Sequence, residues 1–184
     1  MSETQNSLRL RKRHGTGAKP DVTLADGKRL VNAQSVRNAI VAALITVIVF
    51  SLFWVTITEL TNRVFPWLTV VLGFLLGHSI RLTGRGTDWR FPAIAAVAAI
   101  VGSLIANVIV AASVTANEFG TGTLEVLRAV TSMTWPVFFD EVLTIADGFF
   151  AVVGAGLAAF YANRRLTRKE YFALRLWNEE RMNG

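Results

Sequence analysis

The chain has 184 residues, of which 52% are hydrophobic and 17% charged, and its mean hydropathy is +0.43. That balance excludes an ordinary soluble domain and predicts an integral membrane protein. No cysteine is present, which excludes disulfides, thiol catalysis and thiolate metal ligation. The net charge of +6 comes from arginines and lysines that flank apolar runs, where they favour anionic lipid headgroups; no nucleic-acid partner is expected.

Residues 1–35 are polar and basic without sustained apolar periodicity, which predicts a disordered cytoplasmic tail broken by a short turn at Ala25-Asp26-Gly27. Its RLRKRH run, Arg9 to His14, reads as a topology signal that holds the tail inside.

A transmembrane domain is predicted over residues 36–163. A helical crossing needs about 20 apolar residues, and four runs qualify or nearly do: Asn38 to Ile57, Val64 to Ile80, Phe91 to Asn117 and Val142 to Asn163. Lipid offers the backbone no hydrogen-bond partners, so crossings must be helices or closed barrels. These runs lack the alternation of barrel strands, so the expected fold is all-α, a bundle of four transmembrane helices. The first run is preceded by a long polar segment and followed by no cleavage site, which predicts a retained anchor. Small residues recur at spacings of three and four: Gly73 and Gly77 in the second run, Ala95, Ala99, Gly102 and Ala106 in the third, and Ala151, Gly154, Ala158 and Ala162 in the fourth. Each set forms one helix face and should pack helix against helix.

Between the second and third runs, Gly77-His-Ser-Ile-Arg-Leu-Thr-Gly-Arg-Gly followed by Arg90-Phe91 gathers Arg81, Arg85 and Arg90 around a tight turn. A cytoplasmic turn accounts for this composition, and the same three arginines are candidates for contact with anionic phospholipid headgroups. The stretch lacks the G-x-x-x-x-G-K-[ST] phosphate loop and follows no strand. The IR-x-x-G-[RK]-G pattern after a glycine-bearing span resembles small bacterial four-helix membrane proteins of unassigned function. The resemblance covers this turn and its flanking spans, implies the four-helix fold, and carries over no active-site residue. The cysteine-rich metal-binding head that some such proteins look to carry has no counterpart here.

Beyond the third run, Leu124, Leu127, Val130 and Met133 fall at helical spacing, predicting a short amphipathic helix on the outer surface, closed off by Trp135 and Pro136. Asp147 is the most informative residue of the fourth run, because an ionised carboxylate facing lipid is costly. It lies about 8 Å inside the predicted span, and Asn107 about 15 Å below the outer end of the third. The pair is expected to share a hydrogen bond, with Glu59, Arg63 and Arg128 as candidates to extend it. Asp147 then serves either as structural glue between helices or near the headgroups, or as a proton or cation site. His78 belongs near the cytoplasmic end, too far from Asp147 to pair, and is expected to be hydrated or lipid-facing. No helix breaker interrupts Asn163 to Asn183, so the fourth helix is expected to run on, with residues 164–184 as an amphipathic C-terminal helix in the cytoplasm or at the interface. Leu166, Ala173, Leu174 and Trp177 would line one side.

Seventeen of the nineteen lysines and arginines fall in the tail, the Arg81–Arg90 turn and the C-terminal segment, against Arg63 and Arg128 elsewhere. That bias predicts a multi-pass protein of the bacterial inner membrane with both termini cytoplasmic, Trp54, Trp67 and Trp135 near the outer interface and Trp89 at the inner one. There is no H-E-x-x-H and no G-x-S-x-G, and His14 and His78 are the only imidazoles. The expected role is therefore non-enzymatic, without metal or cofactor: an accessory or assembly subunit of a larger membrane complex, its partners the bilayer and a membrane protein or a second copy of itself. The alternative is an oligomeric proton or ion channel, or small transporter, using Asp147 with Asn107.

Overall fold

The computed structural model describes residues 22–133 and 143–183; the Arg9–His14 run, Trp135 and Pro136 lie outside the described residues. The fold is all-α, with helices α1 (Leu24–Asn32), α2 (Val36–Thr61), α3 (Leu68–Gly84), α4 (Arg90–Phe119), α5 (Thr123–Met133), α6 (Ile145–Ala162) and α7 (Arg168–Asn183). Three helical stretches, the one ending at Thr61, α4 and α6, are long and apolar enough to cross a membrane. The apolar α3 is shorter at 17 residues, or about 26 Å at 1.5 Å per residue.

The chain divides into two compact units, one taking in the segments up to Leu30 and from Thr167 onward, the other Val31–Leu166. In the larger unit α3 and α4 touch each other, and each also packs on both α2 and α6, whereas α2 and α6 make no contact among the described residues. The central pair α3–α4 is thus flanked by α2 on one side and α6 on the other, and α5 rests on α4. The core draws Phe50 and Trp54 from α2, Leu72, Leu76 and Ile80 from α3, Ala95, Ala99 and Ala106 from α4, and Ala155, Ala158 and Ala162 from α6.

The alanine-rich faces bring backbones together. A Cβ on Gly73 would strike the Gly154 backbone, 2.6 Å from its Cα. One on Gly77 would lie 2.7 Å from the Ala158 carbonyl oxygen, and one on Gly154 2.8 Å from that of Thr69, so α3 and α6 meet backbone to backbone along two turns. Gly102 on α4 instead makes room for a side chain of α2: a Cβ there would come within 2.6 Å of the Val47 Cγ2. Hydroxyls add bridges: Thr46 Oγ1 donates to Ser79 Oγ across α2–α3 at 2.9 Å, and Ser113 Oγ to Glu59 Oε1 across α2–α4 at 2.7 Å.

The structure corrects two sequence-based expectations. The tail is not disordered throughout: the Ala25-Asp26-Gly27 turn is the start of α1, whose first turn is closed by Thr23 donating from its N–H (3.1 Å) and Oγ1 (2.8 Å) to Asp26 Oδ2. Gly27 lets this helix lie against Ala173 and Trp177 of α7 within the smaller unit. The last span does not run on, since Asn163 turns extended (φ −77°, ψ 137°) and a new helix begins after Thr167. There Glu170 Oε2 accepts from the Thr167 N–H (2.8 Å) and Oγ1 (2.9 Å), and the Glu170 N–H donates back to Thr167 Oγ1 at 3.4 Å, a reciprocal cap that starts α7. Trp54 is fully buried between the helices, whereas Trp67 and Trp89 are exposed.

Candidate functional site

The two ends of the larger unit differ in charge. The start of α2, the turn after α3 and the exit of α6 converge at one end, where the Ser35 N–H donates to the Gly84 carbonyl and the Arg164 N–H to the Gly86 carbonyl, both at 3.0 Å. Arg37, Arg81, Arg85, Arg90, Arg164 and Arg165 belong to this turn end, with Asp88 as the acid among them. Glu59, Glu118 and Asp147 lie toward the far end, together with Arg63.

Asp147 is the only buried charged side chain among the described residues. It occupies the first turn of α6, which begins at Ile145, so it sits about 3 Å from the helix start. Its carboxylate accepts from the Thr144 N–H at 3.0 Å and from the Thr144 hydroxyl, and the Asp147 N–H donates back to Thr144 Oγ1 at 3.3 Å. This capping box satisfies otherwise orphaned donors and places negative charge at the positive end of the helix. Asn107 is buried on α4, twelve residues before its end and thus about 18 Å along the axis from that end. The expected Asn107–Asp147 hydrogen bond is absent among the described residues, where the Asp147 carboxylate is taken up by Thr144 in its own helix cap. Glu59 pairs with Ser113 rather than Asp147.

A cleft of about 370 Å³ opens at the far end, lined among others by Thr58, Glu59, Asn62, Arg63, Asn117 and Glu118. It lies where α2 and α4 both end. The Thr58 hydroxyl, buried on its wall, has no hydrogen-bond partner among the described residues. No group of three or more histidine, aspartate or glutamate side chains gathers among the described residues.

His78 does not stand alone. Its ring is half-buried, 4.4 Å from the Phe74 ring and 5.0 Å from that of Tyr161 between centroids, and its Nδ1 lies 3.2 Å from the Phe74 carbonyl oxygen. Tyr161 also meets Phe74 edge-on at 5.1 Å. Such tilted and edge contacts between rings stabilise the α3–α6 seam. Gly77, one residue before His78, admits the base of the Tyr161 side chain closely: a Cβ there would lie 2.9 Å from Tyr161 Cβ.

At the turn end the glycines of the GRG stretch have a structural purpose. The Phe91 ring, buried at the start of α4, lies where a Cβ on Gly86 would have to be, and a Cβ on Gly84 would come within 2.7 Å of the same ring and 2.9 Å of Ala39. The turn is thus wrapped on Phe91. The three arginines diverge from it: Arg81 is half-buried on the last turn of α3, Arg90 is exposed at the start of α4, and Arg85 is exposed in left-handed backbone (φ 49°, ψ 30°). Arg85, but neither Arg81 nor Arg90, lines a groove of about 650 Å³ between α2 and α3, which it shares with Arg37. The sequence held no signal that set Arg37 apart from the other tail cations. The Thr144 cap, by contrast, was readable from Thr144-Ile-Ala-Asp147.

Comparison with models of protein families, with curated proteins and with solved structures finds no match for this chain.

Proposed function

We propose that the chain is a multi-pass inner-membrane protein with four crossings and both termini in the cytoplasm, and that it acts without chemistry of its own as an accessory or assembly subunit of a larger membrane complex. An exposed apolar belt supports the membrane reading: Ile40, Leu44, Ile48 and Leu52 follow one another at four-residue steps along α2 with their side chains uncovered, far more contiguous apolar surface than a soluble monomer shows. The short α3 is accommodated by local thinning of the bilayer and by polar flanking side chains reaching to the headgroups. The arginine-rich turn end faces the cytoplasm under the positive-inside rule.

The observation that carries the non-catalytic part is the use made of Asp147. The single buried charge among the described residues is engaged in capping its own helix, while α3 and α6 close on each other through backbone contact. The carboxylate–amide pair on which the conducting alternative was built is not formed among the described residues. What remains available is surface: lipid-facing helices, α5, and the smaller unit, in which the exposed Arg175 is held above its usual range by the Glu179 carboxylate 2.7 Å away.

Purification in mild detergent from cells making the protein at its native level tests this reading. It is expected to elute with a second membrane protein or as a homo-oligomer, at a mass well above the 20.2 kDa monomer. Recovery as a lone monomer contradicts it.

A further inference from the structure

We infer that the groove between the start of α2 and the end of α3 is a binding site for one anionic phospholipid of the cytoplasmic leaflet. Arg37, Asn38, Thr83 and Arg85 form its rim, and Val41 and Ile45 continue it along α2. From Arg37 to Ile45 is eight residues, about 12 Å along the helix axis, so two guanidinium groups stand above an apolar slot that runs in the direction of an acyl chain. A volume of about 650 Å³ lies within the usual range of ligand clefts, about 300–1,000 Å³.

Two further observations point to an anion at the rim. Arg85 holds left-handed backbone between Gly84 and Gly86, a conformation that glycine adopts without cost and a branched or long side chain does not. An arginine in that position is accounted for by what its side chain does. The first turn of α2 contains no acidic residue and instead carries Arg37, a positive charge beside the positive end of the helix dipole, which is unfavourable until a negative charge joins them. A phosphodiester at the rim offsets both arginines and the helix end, and arginine pairs with phosphate oxygens through two parallel hydrogen bonds. The exposed Val41 and Ile45 then lie against the lipid tail. A soluble phosphate ester would use the rim and leave the slot empty, so the occupant is the lipid.

The inference rests on the membrane placement proposed above, which fails by its own test of sidedness; the site fails by lipid selectivity. Native mass spectrometry of the full chain released from mild detergent, titrated with dioleoyl phosphatidylglycerol or dioleoyl phosphatidylcholine, measures it. Retention of phosphatidylglycerol in preference to phosphatidylcholine is expected. Arg37→Gln and Arg85→Gly should each weaken phosphatidylglycerol binding about five-fold, the effect of one cation near the headgroups, with Arg90→Gln unchanged. Arg85→Gly suits the backbone it replaces, so its lipid-free thermal unfolding should match or exceed that of the wild type, separating loss of the site from loss of the fold. Equal binding of the two lipids, wild-type affinity in both groove variants, or an equal loss in Arg90→Gln would overturn the site. So would displacement of the lipid by glycerol phosphate at equal concentration, since the slot would then contribute nothing.

Discussion

Gly73→Ala is expected to lower the thermal unfolding midpoint of the detergent-solubilised protein sharply, and Gly73→Leu to yield no folded monomer. Both put atoms where the Gly154 carbonyl and Cα already are. Because the obstruction is backbone rather than the tip of a flexible side chain, α3 and α6 must separate to admit a Cβ. Overpacking of a close-packed interior costs about 1–3 kcal/mol and sometimes more, against a helix-propensity gain for alanine over glycine of about 1 kcal/mol. The steric loss wins, and it spreads, because the approach of α3 to α6 at Gly73 is continued at Gly77 over Ala158 and through the His78–Tyr161 stack. Gly156 on the same α6 has nothing within 4 Å of its would-be Cβ. Gly156→Ala therefore keeps the propensity gain without the clash and should unfold at or slightly above the wild-type temperature. Equal midpoints for Gly73→Ala and wild type would mean that these helices do not meet there.

Gly86→Ala is expected to be the second severe substitution, and its severity should depend on Phe91. The added methyl would occupy the space of the Phe91 ring, which is itself 1% exposed and bordered on another side by Gly84 and Ala39. Either the turn is displaced, straining the hydrogen bond from the Arg164 N–H to the Gly86 carbonyl, or the ring leaves its site. Losing the burial of a phenylalanine costs about 3–5 kcal/mol, which sets the upper bound. In a Phe91→Leu background, which removes most of the obstructing ring, the same Gly86→Ala change should cost clearly less than it does in the wild type. A double-mutant cycle by denaturant or thermal unfolding reads this as a coupling between the two positions; strict additivity would contradict the packing of the turn on the ring.

The helices were legible where the physics is one-dimensional. Long apolar runs marked α2, α4 and α6, since a stretch of nearly twenty apolar residues has few other fates, and the spacing of Leu124 and Leu127 located α5. The ends were less legible because hydropathy does not mark a helix start. Thr144-Ile-Ala-Asp147 and Thr167-Arg-Lys-Glu170 are both reciprocal caps, and Thr23-Leu-Ala-Asp26 closes α1 with the same side-chain pair. Weighing that local pattern would have placed Asp147 in the first turn of α6 rather than deep in a span, and would have broken the C-terminal helix at Thr167. Contacts between distant parts of the chain left no such trace. Nothing near His78 announces Tyr161, and nothing in the tail singles out Arg37 as the partner of Arg85, because both pairings depend on which helix faces which. The glycines around Arg85 were read as a tight turn, and what the sequence did not show is that they make room for Phe91.

The turn end of the bundle is expected to lie in the cytoplasm and the far end outside. The chain contains no cysteine, so single cysteines introduced at exposed positions can be labelled without background. With a membrane-impermeant maleimide, Glu118→Cys should react in intact spheroplasts, and Asp88→Cys should react only after the membrane is permeabilised. Labelling of Asp88→Cys from outside, with Glu118→Cys protected, would contradict the account.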